Sequence, residues 1–314
     1  PARTIGAWWT SDTDRPGAPL MIRLGINPLT WSNDDLPSLG ADIPLETCLA
    51  EARAAGFAGV ELGNKFPRQA AVLGRILQRH QLSLVSGWYS LRLLERDADV
   101  EFEAMREHFA LLQNLGCEVM IACEVSGCVH GDLDARLSGR PQLVPHRWPE
   151  FGDRLTRLAE RMQGEGLRLA YHHHMGTVVQ TAADVDCLLQ CTGAAVGLLL
   201  DTGHLRFAGD DPAQVAAAHS ARIVHVHCKD LRPDVLAIVL NRDSSFLDAV
   251  LEGVFTVPGD GCIDYAEVLA PLAQVGYRGW LVVEAEQDPV VAHPATYARM
   301  GHAHLEQVAG SLFQ

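Results

Sequence analysis

The sequence has no cysteine pair at C-x-x-C spacing, and its eight cysteines are scattered along 314 residues. That argues against a cysteine-held structural zinc and against a small disulfide-framed fold. The cysteines read as reduced, mostly buried thiols, and the protein as cytoplasmic. No run reaches the roughly 18 apolar residues that a membrane span needs. No basic stretch leads into an apolar core near the start, so a signal peptide is not expected. Residues 1–20 are polar, apart from Trp8 and Trp9, and read as a flexible extension ahead of one domain over 21–314. Basic residues are few: 25 Lys and Arg stand against 39 Asp and Glu, for a formal net charge of -14. Such a surface repels phosphate backbones, which argues against a nucleic-acid partner. No G-x-G-x-x-G follows the first strand, so no dinucleotide fold is indicated.

What is present is an alternation. Short runs rich in Val, Ile and Leu fall at 22–27, 59–62, 82–87, 118–123, 167–172, 196–201, 222–227 and 280–284. Helical runs separate them at 45–55, 69–80, 102–115, 148–165, 182–190, 212–219 and 265–274, and a last one covers 293–308. Gly56, Gly116, Gly166 and Gly276 stand where helices should stop, because glycine accepts the left-handed conformation that closes one. Strands without polar alternation are buried on both faces, and repeated βα units give a parallel sheet. Eight of them predict a single (β/α)8 barrel, a TIM barrel. The connections at 125–149 and 230–263 read as long functional loops. The histidines His80, His108, His219, His302 and His304 fall on helices and read as surface residues.

In such barrels the chemistry sits at the C-terminal ends of the strands. There the sequence places Tyr171-His172-His173-His174, Asp201-Thr202-Gly203-His204, His225-Val226-His227-Cys228-Lys229 and Glu284-Ala285-Glu286. Alternate strand residues share a face, so His172 goes with His174, His225 with His227, and Glu284 with Glu286. A single buried histidine is more often a hydrogen-bonded core residue. Asp201 after Val-Gly-Leu-Leu-Leu is different, because an unpaired buried acid is costly. A mixed nitrogen and oxygen set from four strands suits one divalent ion, Mn²⁺, Co²⁺, Zn²⁺ or Fe²⁺. Asn27, Trp31, Glu61 and Glu124 at other strand ends are candidates for substrate hydroxyls. Glu286 supports the site, and His225 binds there or fills the interior.

The strand ends also resemble a known group. Asp-Thr-Gly-His at 201–204, His-Val-His-Cys-Lys-Asp at 225–230 and Val-Glu at 283–284 are similar to the xylose isomerase-like barrel superfamily. That superfamily includes sugar-phosphate isomerases, ketose epimerases and class II apurinic endonucleases. A closer resemblance, to the myo-inosose-2 dehydratases of inositol catabolism, rests on four stretches. These are Gly-Ile-Asn-Pro-Leu-Thr-Trp at 25–31, Tyr-His-His-His-Met-Gly-Thr at 171–177, Phe-Thr-Val-Pro-Gly-Asp-Gly at 255–261 and Val-Val-Glu-Ala-Glu-Gln-Asp-Pro at 282–289.

The superfamily's ligand order, Glu, Asp, His, Glu, puts metal ligands at Asp201, His227 and Glu284. Strand five departs from it, with His172 at the glutamate's position and His174 on the same face. The resemblance implies a hydro-lyase that dehydrates 2-keto-myo-inositol (scyllo-inosose) to a trihydroxycyclohexane-1,2-dione. Mn²⁺ or Co²⁺ is the favoured ion and a small polyol ketone the partner; homo-oligomerisation is left open. Lys229, His204 and His174 are the candidates for general acid and base, with no assignment among them. A lysine beside a metal ion is expected to have a lowered pKa and to act as a base. The alternatives are a metal-dependent keto-sugar isomerase or epimerase, an endonuclease, which the charge disfavours, and a barrel that only binds.

Overall fold

Strands too apolar to leave either face in water line up in parallel and close on themselves. The computed structural model describes residues 22–313, so the expected extension over 1–20 lies outside it. The first seven barrel strands are β1 Arg23–Ile26, β2 Gly59–Leu62, β3 Ser83–Leu91, β4 Val119–Glu124, β5 Arg168–His172, β6 Val196–Asp201 and β7 Ile223–Cys228. A short antiparallel pair follows, β8 Asp230–Leu231 with β9 Phe255–Thr256. The last barrel strand, β10 Trp280–Val283, pairs with β7 on one side and β1 on the other. Gly25 pairs with Val282 of β10 and with Gly59 of β2, and this closes the ring.

Around it run α1 Leu45–Ala55, α2 Ala70–His80, α3 Ala98–Asn114, α4 Trp148–Gly164, α5 Ala182–Gln190, α6 Thr202–Phe207, α7 Pro212–His219, α8 Pro233–Arg242, α9 Phe246–Leu251, α10 Tyr265–Gln274 and α11 Pro294–Leu312. Among the described residues no helix is long and apolar enough to cross a membrane. Gly56, Gly116, Gly166 and Gly276 all take positive φ, as expected of residues that close helices.

The main core lies between barrel and helices. Inside the barrel, Val85, Trp280 and Val282 fill the lower layer. Glycine makes room for them: a Cβ on Gly59 would stand 2.6 Å from Val85 and 2.8 Å from Trp280. The apolar lower layers leave the upper end of the barrel to polar side chains.

The structure corrects three expectations. The third helix begins at Ala98, four residues early, because Asp97 caps it by accepting from the backbone of Asp99 and Val100. The 230–263 segment is not an open loop. Its β8–β9 pair, α8 and α9 build a second small core of Leu231, Val239, Phe246, Val250 and Phe255. The five helix histidines are half-buried rather than on the surface; His80, for one, meets a Glu46 carboxylate oxygen.

Candidate active site

Register decides which side chains meet. Asp201 of β6 pairs with His227 of β7, and His227 pairs with Val282 of β10. Glu284 lies two residues past Val282 and Asp201 two residues past Leu199, the partner of His172. Side chains two apart share a face, so all four turn to one point. His172, Asp201, His227 and Glu284 are all buried. One donor atom from each lies within 4.8 Å of the others. Asp201 Oδ2 is 3.6 Å from both His172 Nε2 and His227 Nδ1, and His227 Nδ1 is in contact with Glu284 Oε2. Ligands at about 2.1 Å around a tetrahedral ion stand about 3.4 Å apart.

The unpaired atoms supply the fit test. Asp201 Oδ2 is buried without a hydrogen-bond partner, and His227 Nδ1 and Glu284 Oε2, also buried, have no partner besides each other. Such atoms are rare in a folded protein and call for an explanation, and an ion is one. His172 Nδ1 lies 2.6 Å from the His173 carbonyl oxygen, to which it donates, so Nε2 keeps its lone pair for the cluster. Two carboxylates and two imidazoles with their lone pairs aimed at one point fit a divalent cation. The same carboxylates favour a positive charge at this point. Burial works against charge on His227, but Glu284 and Glu61 outweigh it and hold the imidazole well above its usual pKa. Burial also opposes ionisation of Asp201, but His204 and Lys229 keep its carboxyl well below the usual range.

A second group lies beside the first. Lys229 is fully buried, with Nζ 2.6 Å from Glu286 Oε1, 3.0 Å from Glu284 Oε1 and 3.4 Å from His204 Nε2. Burial disfavours its charge, yet Glu284 and Glu286 raise its pKa above the ordinary lysine value. Set against these two carboxylates alone, Lys229 is held as an ammonium ion rather than at the lowered pKa expected beside a metal ion. Burial raises Glu286 to about 7 against the pull of Lys229. His174 Nδ1 donates to the Met175 carbonyl at 2.8 Å, which leaves Nε2 as an acceptor. The rings of His174 and His204 lie 3.9 Å apart, with Phe246 against both.

A cleft of about 660 Å³, counted out to its open mouth, ends on these groups. His172, His174, His227, Glu284, Glu286, Glu61 and Asn27 line it. His204 and Lys229 lie behind that lining, fully buried, and reach it through their neighbours. His225 lies in the barrel interior against Glu61.

Two residues expected to bind substrate are elsewhere. Trp31 is packed in the main core, with its indole N–H donating to Glu51 at 2.6 Å. Glu124 accepts from the backbone N–H of Leu93 at 2.6 Å and Ser126 at 2.8 Å, so it ties loops together outside the cleft.

The sequence reading missed Trp88, Asp34, Asp35 and, as a site residue, His130, all of which line the cleft. Trp88 follows Gly87, where the third strand was expected to end; β3 runs on to Leu91 and carries the indole edge-on to His172 and His174. An aromatic residue just past an apolar strand was the available signal.

Comparison with known proteins gives the chain's relatives. A family model described as a xylose isomerase-like TIM barrel matches residues 49–308. The rhizopine catabolism protein MocC of Rhizobium meliloti is 53% identical over 93% of this chain and 90% of its own. An inosose dehydratase of Bacillus thuringiensis (strain Al Hakam) is 42% identical over 92% of this chain and 98% of its own. Among solved structures, the IOLI protein with a bound zinc atom superposes with a TM-score of 0.65 at 18% identity, covering 93% of this chain and 100% of that one. That identity bears on the fold alone.

Proposed function

The chain belongs to the xylose isomerase-like TIM barrel family, and on that premise we propose that it is an inosose dehydratase. The reaction is loss of water from 2-keto-myo-inositol to give a trihydroxycyclohexane-1,2-dione, a step of inositol catabolism in the cytoplasm. The observation that carries this reading is the convergence of His172, Asp201, His227 and Glu284 in a chain 42% identical to inosose dehydratases over nearly their whole length. These four residues would hold one divalent ion. Their mixed nitrogen and oxygen donors suit Mn²⁺ or Co²⁺, with Zn²⁺ and Fe²⁺ as alternatives. The bound ion supplies a Lewis acid for the ketone oxygen.

The chain's own residues handle the protons. His174 faces the cleft with Nδ1 committed to Met175, so Nε2 is free to take the proton next to the ketone. Glu286 also lines the cleft, and Lys229 Nζ donates to its Oε1 across 2.6 Å. This pair donates to the departing β-hydroxyl. Glu286 touches substrate, and Lys229 acts through it. Trp88 offers an apolar wall to the ring's C–H face.

Isomerisation or epimerisation of a keto sugar would use the same barrel, but the relatives named as dehydratases favour loss of water. Turnover in D₂O separates the two. Metal-loaded protein given 2-keto-myo-inositol is expected to yield a dione lighter by one water. An isomeric product carrying deuterium, with no water lost, would overturn the proposal.

A further inference from the structure

Glu61 ends up far from the strand it belongs to. It starts on β2 and reaches across the barrel interior to β7, from which β1 and β10 separate it in the ring order, and it is 1% exposed. Its Oε1 lies 2.8 Å from His225 Nε2 and 3.2 Å from His227 Nε2. Its Oε2 accepts from Asn27 Nδ2 at 2.7 Å, and Asn27 Oδ1 is fixed by the backbone N–H of Leu29 at 3.0 Å. His227 is thus held at both nitrogens. Nε2 meets Glu61, and Nδ1 points at Asp201 and Glu284.

With an ion on Nδ1, His227 would be a neutral imidazole whose one N–H is on Nε2. A carboxylate accepts and does not donate, so it fixes that N–H on the nitrogen it faces. We infer that Glu61 is a positioning residue: its carboxylate fixes the tautomer and ring plane of His227 and so presents Nδ1 to the divalent ion, while Asn27 and His225 hold the carboxylate. This inference rests on the metal-centre reading above. It also changes the role of Glu61, which faces the cleft and was expected to meet substrate hydroxyls.

Glu61→Gln separates the two roles. The amide has the carboxylate's shape. The Asn27 amide N–H₂ draws the glutamine oxygen toward itself, which leaves the glutamine N–H₂ facing the histidines. A donor at His227 Nε2 then favours the tautomer with its proton on Nδ1, the nitrogen the ion needs. The test is titration of the metal-free full chain with Mn²⁺ against a competing chelator, with no substrate present. Positioning predicts a Kd weakened about 10- to 100-fold, the usual cost of losing such a partner. With Co²⁺ at saturation, the visible d–d bands should also shift. A substrate-contact role predicts unchanged Kd and bands with a raised KM, and that result would overturn the inference.

Circular dichroism of the metal-free variant checks its fold. If Glu61→Gln does not fold, Asn27→Ala carries the test, with a severalfold weaker Kd expected and an unchanged one overturning the inference. Wild-type chain that takes up no ion would sink the metal-centre reading itself. Wild-type uptake with unchanged variant affinity would sink only the role given to Glu61.

Discussion

Asp201→Asn will leave the protein folded and take away both its divalent ion and its turnover. Asp201 has two jobs, one for each oxygen. Oδ1 accepts from the backbone N–H of His204 and caps α6, while Oδ2 is buried, unpaired and turned to the donor cluster. Alanine would remove both and cost about 0.5–2 kcal/mol from the cap alone. Asparagine caps a helix as well as aspartate does, so it isolates the second job. The loss of affinity should exceed the roughly 10- to 100-fold that follows from disturbing a residue behind a ligand. Turnover should fall with metal occupancy and should not return at saturating substrate. Chelator competition and a steady-state assay on the same preparation check this. Wild-type metal affinity in a folded Asp201→Asn protein would remove Asp201 from the ligand set.

Lys229→Met should behave in the opposite way, keeping the ion and losing the rate. The Lys229 ammonium sits between Glu284 and Glu286, over the Phe255 ring at 4.7 Å. Methionine fills much of the space of the stem without the charge. It strips the cation from two buried carboxylates, a change that typically costs about 3–5 kcal/mol of stability. Metal affinity should hold or tighten, because a positive neighbour of the ion has gone. The rate should fall in kcat rather than KM, by about 10²–10⁴ if the Lys229–Glu286 pair supplies the proton for the leaving hydroxyl. Steady-state kinetics, metal titration and thermal unfolding of one preparation read all three. A kcat near the wild-type value would take the proton supply away from this pair.

Much of the fold was legible because barrel strands announce themselves. α1, α5, α7, α10, β2 and β6 have the bounds that periodicity and glycine stops indicate. Other features left weaker traces. α6 has six residues and begins on the strand-end aspartate that caps it, so it reads as loop. The apolar run in α8 gives no period that separates a helix from a buried strand.

The converging residues at 172, 201, 227 and 284 were readable because a costly buried acid and strand alternation both point to them. Trp31 and Glu124 misled because a polar or aromatic strand end looks the same whether it faces the cleft or a helix. Trp31 turns toward Glu51 on α1, and Glu124 toward the loop amides of Leu93 and Ser126. Glu61 was visible as a strand-end acid, but its reach to His227, 166 residues away, is a property of the closed barrel.

The central claim is that these residues form a metal-dependent dehydratase. It is tested most directly by depleting the full chain of metal, assaying it anaerobically with 2-keto-myo-inositol, and adding back Mn²⁺, Co²⁺ or Zn²⁺ while following dione absorbance. The account predicts no dione from the depleted protein and restored formation with at least one ion, at one equivalent per chain. Dione formed at full rate by folded, depleted protein would contradict it, as would none with any of the three ions.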